Sequence, residues 1–132
     1  MCIRDREIAE INRMNTGFAQ TIGMEVTACS EEEIKAHIDV GPEHLQPAGI
    51  VNGGVYAAIG ETLGSLAAMF TSQKAAVGMN NNTDFLRPVS SGRIEAEAIP
   101  VHIGRTTHLW RIEMRNNDKL VAITNLKLMI KG

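Results

Sequence analysis

The stretch NGGVYAAIGETLGSLAAMFTS, residues 52–72, decides how the rest of the chain is read. It holds no proline and is rich in Ala, Leu, Ile and Met, which predicts one long helix with Asn52 as its N-cap. Apolar residues lie around most of its circumference, so the helix needs cover on nearly every side. A membrane span is a poor reading, because Glu61 interrupts the run, glycines dilute it and no basic residues bracket it. A helix enclosed by the rest of the protein fits better.

Working outward, residues 24–29 and 34–40 predict two strands around a turn at 30–33. The second places Ile34, Ala36, Ile38 and Val40 on one face, with Glu33, Lys35, His37 and Asp39 on the other. Residues 41–49 carry two prolines and two glycines and predict a loop of specified shape leading into the helix. After the helix, residues 74–86, 93–103, 107–116 and 119–130 all carry strand signal, separated by Gly- and Asn-containing turns. Within the second of these the apolar phase switches near Pro100, as a bulge or bend requires. Residues 7–14 predict a short covering helix. Two strands, one long buried helix and four strands imply an α+β domain whose antiparallel sheet curls around the helix.

With 132 residues and 44% hydrophobic content, the chain can bury one core but not two of ordinary size. A net charge of −2 gives no bulk attraction to nucleic acid, so any anionic ligand needs local positive groups. Cys2 and Cys29 form neither a metal-ligand spacing nor a disulfide framework, which points to a reducing cytoplasm. Charges at Arg4, Asp5, Arg6, Glu7 and Glu10 rule out a signal-peptide pattern. Residues 1–6 resemble translated adapter sequence and are expected to be a non-native leader, with a single domain over 7–132.

Chemistry concentrates on the helix and its approach. Glu61 is the only side chain in 52–72 that is charged at neutral pH, and a buried carboxylate is costly unless it is paired or used. Helical spacing puts Gly54, Ala58, Glu61 and Ser65 on one face. The bland alternative is a carboxylate that merely pairs with a neighbouring strand. Gln46 to Gly54 (QPAGIVNGG) delivers backbone N–H groups to a helix start, the raw material of an oxyanion hole, although a plain tight turn would use the same residues. Gly-x-Ser-x-Gly, His-Glu-x-x-His, Gly-x-Gly-x-x-Gly and Gly-x4-Gly-Lys-Ser/Thr are absent, so serine-hydrolase, zinc and nucleotide-loop readings have no support. No metal or cofactor is expected.

Taken together, Gln46-Pro-x-Gly-Ile-Val-Asn-Gly-Gly-x6-Glu61-x2-Gly-Ser65 resembles the signature of the hotdog thioesterases, among them the phenylacetate-pathway, 4-hydroxybenzoyl-CoA and 1,4-dihydroxy-2-naphthoyl-CoA enzymes. The likeness extends through Ala76-Val-Gly-Met, Leu86-Arg-Pro, Ser91-Gly-Arg and His102-Ile-Gly-Arg to Trp110-Arg-Ile-Glu. The resemblance implies a hotdog fold and hydrolysis of an acyl-CoA to free acid and CoA. In it Glu61 acts as nucleophile or general base, the Gly53 amide as oxyanion donor, Gln46 as an orienting group and Ser65 as the residue that positions water. Asn52 stands where many relatives have His, and it can donate a hydrogen bond but not titrate. The same resemblance places CoA against Gly54, Gly78, Phe85, Leu86, Arg87, Pro88, His102, Ile103, Gly104, Arg105 and Thr106, with Arg87 and Arg105 on the phosphates. His102 and His108 are expected at the surface or in packing. A homodimer, often paired into a homotetramer, would carry composite sites at the subunit interface. The alternative is a non-hydrolytic acyl-CoA or acyl-carrier binding protein of the same fold.

Overall fold

The computed structural model describes residues 5–131. Residues 1–4, part of the expected leader, and residue 132 lie outside the described residues. The chain runs α1 (Asp5–Met14), α2 (Phe18–Thr21), β1 (Glu25–Cys29), β2 (Ile34–Asp39), a 3-10 turn (Pro42–His44), α3 (Gly53–Ser72), β3 (Ala75–Phe85), β4 (Arg93–Ile103), β5 (Thr107–Asn116) and β6 (Lys119–Lys131). The six strands form one antiparallel sheet in the order β1-β2-β4-β5-β6-β3, curled around α3. Among the described residues no helix is long and apolar enough to cross a membrane.

Alternation in the sequence becomes burial in the sheet. Ile34, Ala36 and Ile38 of β2 face α3 beside Ile94, Ile112, Leu126 and Leu128. Two helix glycines let the layers approach: a Cβ on Gly60 would collide with Thr124, and one on Gly64 with Leu126. The glycines that dilute the helix as a sequence signal are thus what seats it on β6. The register break foreseen near Pro100 lies between Pro100 and His102.

Two short elements carry no periodicity and were not foreseen, α2 and the turn at Pro42–His44. They are locked together by a histidine. His44 is buried, its Nδ1 accepts the Gly41 N–H at 2.9 Å, and its Nε2 lies 2.7 Å from the Ile22 carbonyl, so Nε2 is the protonated nitrogen. Residues 45–51 then close on themselves through Gln46 N–H to Ile50 O (2.8 Å) and Gly49 N–H to Gln46 O (2.9 Å). Gly49 has φ of 82°, which a side chain would resist. This loop delivers the chain to the start of α3.

Candidate active site

Asn52 caps α3 as expected: its Oδ1 accepts the Gly54 N–H at 2.8 Å. Of the two glycine amides, that leaves the Gly53 N–H without an acceptor among the described residues, at the positive end of the helix. Gly53 also lies against the Phe85 ring, where a Cβ would come 2.6 Å from Cζ. The Gly54 amide is already used by that cap, and a Cβ on Gly54 would come 3.2 Å from the Asn52 Oδ1. Around Gly53, a recess of about 580 Å³ is lined by Gln46, Val51, Tyr56, Leu86, Arg87 and Pro88, among others. The Gln46 side chain is turned onto its own loop, with Oε1 accepting the Ala48 N–H at 3.1 Å.

Glu61 lies eight residues further along α3, about 12 Å down the axis and roughly 80° around it. It is half-buried, and among the described residues no donor or cation is bonded to its carboxylate. Pairing with a neighbouring strand therefore does not account for it. Its Oε2 packs against the backbone of Gly78 on β3, where a Cβ would sit 2.5 Å away. Glu61, Thr62 and Ser65 open onto a separate cavity of about 440 Å³ with mainly aliphatic and methionine walls. The Gly53 amide and the Glu61 carboxylate thus face two different recesses of one chain.

The expected CoA residues divide the same way. Phe85 to Pro88 border the Gly53 recess. His102 and Ile103 end β4 and Gly104 to Thr106 form the turn into β5 at the opposite end of the sheet, where Thr106 O accepts from Ile130 N and Ile130 pairs with Ala76. Gly104 is held in that turn, its N–H donating to Thr107 O at 2.9 Å. Arg87 and Arg105 therefore sit near opposite ends of β3. Another recess of about 600 Å³ lies at the C-terminal end of α3, against Phe70 and Trp110, and of the expected site residues only Ile103 borders it.

His102 is exposed, whereas His108 is buried and its Nδ1 accepts the Trp110 indole N–H at 3.1 Å. Burial holds its pKa below the usual histidine value, with the neighbouring His102 adding to the effect. It is a packing residue, as expected.

Sequence reasoning missed two residues between the half-sites. Tyr56, one turn after Gly53, is buried against Phe85 with ring centroids 6.0 Å apart, and its hydroxyl has no hydrogen-bond partner among the described residues. The only available signal was its helical spacing from Gly53. Asn81 on β3 donates to the Ala57 carbonyl of α3 at 3.0 Å and accepts from Thr83 at 2.7 Å, pinning the strand to the helix between the two recesses. No sequence motif marks it.

Residues 48–123 match the family model described as the thioesterase superfamily. The chain is 34% identical over 113 residues to the proofreading thioesterase EntH of Klebsiella pneumoniae, covering 83% of this chain and 82% of that protein. It is similar to the crystal structure of a thioesterase from Haemophilus influenzae, with a TM-score of 0.90 at 33% identity over 95% of this chain and 90% of that one. It is also similar to the phenylacetic acid degradation protein PaaI of Thermus thermophilus, with a TM-score of 0.81 at 28% identity, covering 86% and 98% of the two chains.

Proposed function

The chain belongs to the thioesterase superfamily, with its hotdog fold, and is a thioester hydrolase; we propose that its substrate is an acyl-coenzyme A and that the active site is completed by a second copy of the chain. The observation that carries this reading is the placement of the two half-sites at either end of β3. Gly53 packs against Phe85 and Glu61 against Gly78, while the strand between them has an open outer edge.

Antiparallel pairing of β3 with its own copy about a two-fold near Asn81 and Asn82 sets Phe85 of one copy opposite Gly78 of the other. The Gly53 amide of one copy then meets Glu61 of the second. The same operation brings Arg87 of one copy level with Ala76 of the second, beside that copy's Arg105 turn. Two arginines thereby converge where CoA phosphates would lie. Each dimer holds two such sites.

In this site the thioester carbonyl accepts from the Gly53 N–H. Glu61 either attacks the carbonyl carbon or takes a proton from the attacking water, and Ser65, one turn on, positions that water. The oxyanion of the tetrahedral intermediate stays on the amide at the helix start. In the general-base route, collapse breaks the C–S bond and the sulfur leaves as CoA thiol with the proton that Glu61 took from water, giving the free acid. In the nucleophilic route, CoA thiolate leaves a mixed anhydride on Glu61, which water then hydrolyses to the free acid and the restored carboxylate. Asn52 keeps the turn in shape through its cap and has no proton to shuttle.

A free-thiol release assay on acyl-CoA esters tests this reading, with Glu61→Ala and Asn52→His alongside the parent. Loss of Glu61 should lower turnover by about 10²- to 10⁴-fold, the range of a positioned acid-base group. Asn52→His should retain or improve it. Unchanged release in Glu61→Ala overturns the mechanism, and binding without release in the parent identifies a binding protein instead.

A further inference from the structure

The cavity beside Glu61 is walled on its far side by α1, and Asn12 ties α1 to the sheet edge by two hydrogen bonds. Asn12 spans the free edge of β1 as a neighbouring strand would: its Oδ1 accepts the Val26 N–H at 2.8 Å and its Nδ2 donates to the Val26 carbonyl at 3.0 Å. Both outward backbone groups of Val26 are thereby satisfied. Ile8 and Ile11, on the same helix face, pack against the core.

What α1 encloses has a definite chemistry. Ile11, Met14, Met24, Val26, Leu66 and Met69 form the apolar walls of the 440 Å³ space. Its polar groups are Asn15, just after α1, and the Glu61, Thr62 and Ser65 stripe of α3, and its lining contains neither a basic nor an aromatic side chain. No cation there could pair a second carboxylate on the acyl group, and no aromatic side chain is present to stack on a ring. Three methionines, unbranched and conformationally adaptable, suit a flexible alkyl chain.

Resting on the assignment of Glu61 to the thioester carbonyl, we propose that this cavity takes the acyl chain as an uncharged medium-length alkyl group, and that Asn12 is a positioning residue which sets chain-length preference by fixing α1 as the cavity wall. Asn12 touches neither the carboxylate nor the thioester. It acts through Ile11 and the helix that carries it.

The test reads binding rather than turnover, so it stands apart from the hydrolysis assay. Non-hydrolysable acyl-CoA ketones, in which a methylene replaces the sulfur, are titrated calorimetrically as acetyl, decanoyl and 4-hydroxybenzoyl analogues. The parent should bind the decanoyl analogue at least about tenfold tighter than either of the others, the equivalent of about 1.4 kcal/mol. Ile11→Trp should fill the cavity and abolish that preference, and Leu66→Phe from the opposite wall should reduce it. Asn12→Ala should weaken decanoyl binding severalfold and leave acetyl binding unchanged, a split that general loss of stability would not produce. Equal affinities in the parent, tighter binding of the aryl analogue, or an undiminished decanoyl preference in both wall variants overturns the proposal. Loss of thiol release with the binding pattern intact would reject the hydrolytic mechanism and leave the cavity assignment standing.

Discussion

The sheet has two edges, and the chain finishes them in different ways. At β1 the backbone of Val26 is closed off by Asn12, and α1 lies along the strand. At β3, eleven residues run beside β6 with no strand of the described residues on their other side, and most of the strand is exposed, including Val77, Met79 and Phe85. A long uncovered edge invites pairing with another strand unless it is blunted by charge, proline or a covering element. Here β1 is blunted and β3 is not. The covered edge shapes a cavity within one copy, and the open edge is where two copies would complete each other's sites.

The comparison can be broken most sharply at the centre of β3. Asn82→Lys places a charge next to its own copy across the proposed two-fold, and such like-charge contacts cost several kcal/mol. Sedimentation should show a shift from dimer to monomer, and thiol release should fall with it although Glu61 and Gly53 are untouched. The same charge on the covered edge, Thr27→Lys, should change neither. A monomeric Asn82→Lys that still turns over fully would show that one copy suffices.

A smaller effect is expected where β3 meets the carboxylate. Gly78→Val puts a side chain where the Glu61 carboxylate now lies, so the acid must move. A displacement of about 1 Å can cost on the order of 10²-fold in rate, and kcat should drop by about that much with the dimer preserved. Retained kcat would mean that the close approach of Gly78 to Glu61 has no catalytic consequence.

The smallest effect belongs to the covered side. Burial pushes the Cys29 thiol on β1 from 9.0 up to about 11. Above pH 9 the unfolded chain sheds its thiol proton while the folded chain keeps it, so stability declines from about pH 9 to 11. Urea midpoints measured across that window should fall less steeply in Cys29→Ala than in the parent. Identical slopes would show that Cys29 does not contribute to the decline.

Much of this was legible in the residues. The proline-free run at 52–72, the alternation of Ile34, Ala36 and Ile38, and the phase switch at Pro100 each report a local rule: helix composition, pleat period, bulge. Asn52 was readable as a cap because capping is decided within three residues. His44 and Asn12 were not readable. Each bonds backbone far away in the sequence, Ile22 and Val26 respectively, and a polar residue in a loop or short helix carries no mark of such a partner. The packing of Glu61 on Gly78 was hidden for the same reason: the contact exists only because β3 returns along α3.

By itself the sequence determined the six strands and the long helix, their order, the enclosure of that helix and the single carboxylate on it, because periodicity, capping and turn chemistry act over a few neighbouring residues. Only the tertiary structure decided that the Gly53 amide and Glu61 open onto different recesses, that β1 is covered and β3 open, and that α1 walls the cavity beside the acid. Those facts depend on which strands become the edges of a curled sheet, and that is settled by long-range pairing rather than by any local pattern.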